Sequence, residues 1–172
     1  MKLLTTVWTM GILLLGLSSS PLTAQDADAN VTISKVIEAS ADDVWGVLRK
    51  MDDIHEYSSL IARVEWTGAH GIGGQRVCYS PDEQGYYKES IVQFNDQGRT
   101  YSYALVEGVP FEGMVNSFKV VDLGFKKAMI VWTSNYDAFI ENPQMTEEQF
   151  LAFIQNAIHE MIDNVSNTAQ GA

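Results

Sequence analysis

The stretch that decides the fold is MTEEQFLAFIQNAIHEMIDNV, residues 145–165. Thr146 and Gln149 stand three positions apart, as the two partners of a helix capping box do, and Met145 precedes them as an apolar staple. Apolar residues then recur on one helical face: Phe150, Phe153, Ile154, Ala157, Ile158, Met161, Ile162 and Val165. The pattern predicts an amphipathic helix of about 18–20 residues, near 30 Å long.

The segment before this helix has the two-residue alternation of β-strands. Gly-, Asn- and Asp-rich turns separate the alternating runs, which we place at residues 61–67, 75–80, 86–94, 100–107, 114–122 and 128–137. Because the turns are short, consecutive strands must be antiparallel neighbours. The sequence therefore predicts a six-stranded meander.

The meander is preceded by a predicted strand at residues 30–38 and by two short helices. Ser40 and Asp43 predict the cap of the first helix, and Val44 and Leu48 begin its apolar face. We place the second helix or turn within residues 52–60. No other segment can bury the apolar stripe of the last helix, so that helix must lie on the concave face of the sheet. The fold class is thus α+β, with the order β-αα-β6-α.

The N-terminus has the layout of a secretory signal peptide. Lys2 is followed by an uncharged, mostly apolar run at residues 3–17, and small residues surround Ala24 and Ala29, the two candidate cleavage positions. The run is shorter than the roughly 20 residues that span a bilayer, which argues against a stable membrane anchor. We predict a signal peptide at 1–24, a linker at 25–30, one domain at 31–166 and a flexible tail at 167–172. The mature protein is expected in the periplasm or outside the cell.

The composition excludes several functions. The chain has 172 residues, with 11 Lys and Arg against 22 Asp and Glu, a formal charge of −11 that disfavours nucleic-acid binding but suits docking to a basic protein. His55, His70 and His159 show no metal-ligand spacing, so no metal or cofactor is predicted. Cys78 is the single cysteine and is expected to be a buried, inert thiol.

Several short motifs occur in the order typical of one superfamily: Ile37-Glu38-Ala39, Val44-Trp45, Gly74-Gln75-Arg76, Glu89, Asp96-Gln97-Gly98-Arg99, Tyr103-Ala104-Leu105, Val109-Pro110 and Ile130-Val131-Trp132. Over residues 31–165 the sequence resembles the START-like superfamily, also called the SRPBCC or polyketide cyclase/dehydrase family. The resemblance implies a helix-grip fold, in which a curved sheet wraps the long helix and leaves a cavity for an apolar ligand. Members often carry a Trp and a Pro after the first helix, whereas residues 54–60 have neither.

Arg76, Glu89 and Tyr103 lie on three consecutive predicted strands and are the candidate polar site. Arg76 and Glu89 could form a purely structural pair, on the outer face of the sheet for example, with the ligand held by shape alone. Alternatively the three residues could anchor a ligand carboxylate or carbonyl inside the cavity, or act there as acid and base. No catalytic residue is assigned beyond these candidates. The predicted ligand-binding set adds residues from a late strand and from the last helix: Trp132, Phe150, Phe153, Ile154, Ala157, Ile158 and Met161.

The leading functional prediction is an exported protein that binds or carries a small hydrophobic molecule, lipid-like or aromatic. The first alternative is a cyclase- or dehydratase-like enzyme that uses the polar site. The second is a periplasmic accessory protein whose acidic surface docks to a redox enzyme or a cytochrome.

Overall fold

A computed structural model describes residues 29–171, so the predicted signal peptide at 1–24 lies outside the described residues. The elements follow one another in this order: β1 (Val31–Ile37), α1 (Ala41–Leu48), a 3₁₀ turn (Ile54–Glu56), β2 (Arg63–Thr67), β3 (Gln75–Tyr79), β4 (Tyr86–Asn95), β5 (Thr100–Glu107), β6 (Phe111–Glu112), β7 (Val115–Gly124), β8 (Lys127–Asn135), β9 (Ala138–Phe139) and α2 (Glu147–Ala169). This is the predicted α+β order, with two very short strands added.

Both helices begin at the residues that the sequence indicates. The Ser40 hydroxyl accepts a hydrogen bond from the backbone N–H of Asp43 at the start of α1. At the start of α2, Thr146 and Gln149 form the reciprocal capping box, which satisfies two otherwise unpaired N–H groups. Helix α2 is 23 residues long and ends at Ala169. It therefore includes residues 167–169, which the sequence analysis assigns to the tail.

Seven strands form one antiparallel sheet in the order β1-β8-β7-β5-β4-β3-β2. The six predicted strands of the meander are present, and β1 pairs with β8, so the first strand completes the sheet next to the last. The short strands β6 and β9 pair only with each other. They were not predicted, because two-residue strands show no alternation in the sequence.

The main core lies between the inner face of this sheet and the two helices. Helix α2 packs chiefly on α1 and β1, at one end of the sheet. Met161, Ile162 and Val165 form the apolar face of its C-terminal half and are buried. A smaller cluster around Phe111, Met114 and Phe150 lies near the N-terminus of α2. The architecture is the predicted helix-grip fold. No helix within residues 29–171 is both long and apolar enough to cross a membrane.

Candidate functional site

A cavity of about 70 Å³ lies between the N-terminal half of α2 and the inner face of the sheet. Its wall is mostly aliphatic and aromatic, with polar groups at a few positions. The lining residues come from the 3₁₀ turn, four strands, the connecting loops and α2: Ile54, Ser58, Leu60, Ile61, Tyr87, Glu89, Tyr103, Leu105, Val109, Met114, Asn116, Trp132, Ile154, Ala157, Ile158 and Met161. Several lining residues, among them Leu60, Val109 and Ala157, are only half-buried, so part of the wall lies near the solvent.

Arg76 and Glu89 are paired inside the protein. They are directly opposite each other on β3 and β4, and the Arg76 Nε donates to Glu89 Oε2. Arg76 is fully buried and Glu89 is 6 % exposed. The Arg76 Nη1 donates to the backbone oxygen of Met51, which follows α1, so the guanidinium also ties the sheet to the α1 end. Because both side chains are buried, the prediction that places this pair on the outer face of the sheet is wrong.

Tyr103 completes the candidate group, although it is not directly opposite Glu89. Register shifts in the β4–β5 pair place Tyr103 opposite Ile91 and Glu89 opposite Leu105. The Tyr103 ring nevertheless covers the guanidinium, with Arg76 Cζ 5.0 Å from the ring centroid. The Tyr103 hydroxyl accepts a hydrogen bond from Trp132 Nε1 at 3.4 Å, and burial raises the pKa of this tyrosine. At neutral pH its own O–H therefore stays intact as a donor.

Arg76 itself does not line the cavity. Burial alone would lower the pKa of Arg76, but the neighbouring Glu89 carboxylate, together with Tyr101, Cys78 and Tyr57, outweighs this effect and holds the pKa well above its usual value. The permanent positive charge is compensated by Glu89, and the backbone oxygen of Met51 accepts from Nη1, whereas Nη2 is buried without a hydrogen-bond partner within residues 29–171. Because Arg76 is not part of the cavity wall, this geometry does not support direct capture of a ligand carboxylate by Arg76. The cavity presents the carboxylate of Glu89 instead.

The structure brings most of the predicted ligand-binding residues together at the cavity and leaves three away from it. Those that line the wall are Glu89, Tyr103, Trp132, Ile154, Ala157, Ile158 and Met161. Phe150 and Phe153 lie in the first two turns of α2, beyond the cavity. Phe150 packs edge-on against Phe111 in the smaller cluster, and Phe153 is 37 % exposed. The third is Arg76, which lies behind Glu89.

Other lining residues were missed by the sequence analysis. Leu105 shares the inner face of β5 with Tyr103, so its strand position was an available signal. Asn116 is buried on the inner face of β7, but an Asn in an alternating strand gives no sign of whether it points inward or outward. Ser58, Leu60 and Val109 come from segments outside the helices and strands, where periodicity carries no information.

Cys78 is buried next to the Arg76–Glu89 pair. Its Sγ is 3.9 Å from Glu89 Oε2, and burial, together with the nearby carboxylate, raises the pKa of the thiol to about 12. The thiol is thus protonated at neutral pH and is a poor nucleophile. Across residues 29–171 no group of three or more His, Cys, Asp or Glu side chains is arranged to hold a metal ion.

The sequence model of a family described as "Polyketide cyclase / dehydrase and lipid transport" matches residues 28–168. The chain belongs to this family. Among curated proteins, no sequence matches it. Solved structures agree with the family on the fold, and at identities below 20 % they show the fold alone.

Three of these structures illustrate the range of relatives with this fold. XoxI from Bacillus cereus is 16 % identical, with a TM-score of 0.70, over 81 % of this chain and 94 % of that one. The Zhui aromatase/cyclase from Streptomyces sp. R1128 is 17 % identical, with a TM-score of 0.69, over 81 % and 92 %. Norcoclaurine synthase from Thalictrum flavum, in complex with dopamine and hydroxybenzaldehyde, is 16 % identical, with a TM-score of 0.65, over 95 % and 98 %.

Proposed function

We propose that this member of the family binds or carries a small, mainly apolar molecule in the cavity under α2. The observation that carries the proposal is the mainly apolar lining of this cavity. Helix side chains such as Ile154, Ala157 and Ile158 face the sheet across empty space, and Glu89 and Tyr103 offer polar contacts at one side. A mainly apolar wall with a few polar groups is typical of sites that bind small, mainly apolar molecules.

The size of the cavity sets a condition on binding. A dry cavity of about 150 Å³ holds a benzene-sized molecule, and typical ligand pockets reach about 300–1,000 Å³. The space of about 70 Å³ seen here is smaller. A ligand must therefore widen it, by displacing side chains at its half-buried edge or by moving the N-terminal half of α2.

The packing of α2 makes such widening local. Its C-terminal half is held by α1 and β1 and by the buried Met161, Ile162 and Val165. Over the cavity, Ile154 and Ala157 are only half-buried, and Phe153, just beyond the cavity, faces partly into solvent. Fewer buried contacts mean a lower free energy for local opening, so we expect the N-terminal half to move while the C-terminal half stays in place.

A matched pair of helix variants tests ligand binding. Ala157→Phe fills the cavity, whereas Ala152→Phe makes the same change on the exposed face of α2. The probes are toluene, naphthalene and N-phenyl-1-naphthylamine, titrated into the protein and followed by NMR or fluorescence. We expect saturable binding to the wild type and to Ala152→Phe, and a loss of at least about tenfold in affinity for Ala157→Phe. Absence of saturable binding to the wild type, or full binding to Ala157→Phe, would refute the proposal.

A cyclase- or dehydratase-like activity is a second candidate, favoured by one specific observation. Glu89, with its carboxylate, and Tyr103, with its phenol O–H, line the same cavity. A carboxylate and a phenol can act as the base and the acid of a proton-transfer reaction. The fold is also that of an aromatase/cyclase and of norcoclaurine synthase. Under this candidate Glu89→Gln abolishes turnover of a substrate found by native mass spectrometry, whereas for a carrier it leaves the captured molecule unchanged.

Export belongs to the same proposal. The first 24 residues fit a signal peptide, and the mature protein would start at Gln25 or, with the alternative cleavage position, at Asn30. N-terminal sequencing of the protein from the periplasm or medium of an expressing cell tests this. A protein that keeps Met1 and remains inside the cell would contradict it.

A further inference from the structure

A row of polar side chains crosses the inner face of the sheet at the cavity. Tyr103 on β5 is directly opposite Asn116 on β7, and Asn116 is directly opposite Ser134 on β8. Directly opposite residues of antiparallel strands point to the same face, with Cβ atoms about 4.5–5.5 Å apart. All three residues are buried, at 4 %, 5 % and 1 % exposure. The row therefore points toward the helices, into an otherwise apolar interior.

Two atoms of this row lack hydrogen bonds. Within residues 29–171, Asn116 Oδ1 and Ser134 Oγ are buried without a hydrogen-bond partner. Asn116 lines the cavity, and Ser134 is the residue directly opposite Asn116 on β8, on the same face of the sheet but behind the cavity wall. A buried, unpaired polar atom is costly and rare in folded proteins. An apolar residue at either position would remove the free-energy cost of an unpaired polar atom. The sequence nevertheless has Asn116 and Ser134 there, next to the cavity.

The geometry points to a hydroxyl-binding subsite formed by Asn116 and Ser134, so that the ligand is a small apolar molecule with an uncharged hydroxyl group. This inference rests on the proposed binding function. Both side chains can donate and accept, and a hydroxyl group does the same, so one hydroxyl satisfies the row. The apolar body of the ligand then lies along Ile154 and Ile158 of α2.

Charged ligands fit the subsite less well. A carboxylate would share the cavity with the Glu89 carboxylate, and the Arg76 charge is already paired behind it. An ammonium group would be drawn to Glu89 rather than to the neutral Asn116 and Ser134. The pattern of donors and acceptors therefore selects a phenol or an alcohol.

Matched ligands test the subsite in the full-length mature protein. Toluene and phenol have nearly the same size and differ by a methyl against a hydroxyl group, and benzoate supplies the charged comparison. NMR titrations are expected to show phenol binding about five- to tenfold more tightly than toluene, with benzoate weakest. Asn116→Leu should cancel the preference for phenol, leave the toluene affinity within about twofold, and raise the melting temperature by about 2–5 °C, because an unpaired buried atom is removed.

Two further variants keep the test decisive. Asn135→Leu makes the same substitution on the exposed neighbour of Ser134 in β8 and should leave the preference for phenol intact. Ser134→Ala, a smaller change, should reduce the preference even if Asn116→Leu fails to fold. Equal binding of phenol and toluene to the wild type, or an unchanged preference in Ser134→Ala and Asn116→Leu, overturns the subsite while the binding function stands. If neither toluene nor phenol binds, the proposed function itself fails.

Discussion

The Arg76–Glu89 pair offers the sharpest test of how the interior is held together. In Arg76→Met the Glu89 carboxylate is left buried without its cation, and the Met51 carbonyl loses its donor. Breaking a buried pair by removing one partner costs about 3–5 kcal/mol. That is a large part of the roughly 5–15 kcal/mol by which a domain is stable. With a urea m-value of about 2 kcal/mol/M, the unfolding midpoint should fall by about 1.5–2.5 M.

The double variant Arg76→Met/Glu89→Leu is the matched control. It removes both charges together, and such replacements of buried pairs by apolar residues are often neutral or even stabilising. We therefore expect the double variant to be more stable than Arg76→Met alone, with a coupling free energy of at least about 2 kcal/mol. Urea unfolding followed by tryptophan fluorescence measures all members of the cycle.

The single variant Glu89→Leu tests the other partner of the pair. Arg76 cannot lose its charge, since the pKa of its guanidinium is far above the neutral range. The stability deficit of Glu89→Leu should therefore stay constant between about pH 7 and about pH 5. A cost below about 1 kcal/mol for Arg76→Met, or additive single changes, would show that the pair is not held as described.

Three further predictions concern other parts of the molecule. Burial raises the pKa values of Tyr57, Tyr101 and Tyr103 above 10. The folded state therefore gains stability from the protonated tyrosines below pH 10, and this stability is lost as the pH rises further. In an alkaline titration, tyrosinate absorbance should appear together with unfolding. Cys78 should react with iodoacetamide at neutral pH only after unfolding, because its thiol is buried and has a pKa of about 12; rapid alkylation of the native protein would contradict this. Phe125 and Lys126 adopt φ of 52° and 57° at a hairpin tip where Phe125 is 99 % exposed. Asn-Gly at these two positions should therefore raise the free energy of unfolding by about 1–2 kcal/mol in urea, and no gain would mean that the turn is unstrained.

The fold was predictable because its main elements have strong local signals. The Thr146 capping box and the apolar face of α2 are readable from periodicity alone, as are the six strands of the meander. What local patterns cannot give is pairing across long sequence distances. The closing of β1 onto β8 joins residues about a hundred positions apart, and the Arg76 contact with the Met51 carbonyl depends on how the α1 end packs on the sheet. Such contacts come from the global topology, so they appear only in three dimensions.

In the candidate site, too, the sequence indicates which strands carry the residues but not how those strands pair. Arg76, Glu89 and Tyr103 could be proposed together because they lie on neighbouring strands of a meander. Strand order alone does not fix register, however: Glu89 is opposite Leu105, and Tyr103 is opposite Ile91, two residues further along β4. On its other side, Tyr103 is opposite Asn116 in the regular β5–β7 pairing. Tyr103 therefore lies between the charged pair and the uncharged row, and the cavity has two chemically different ends.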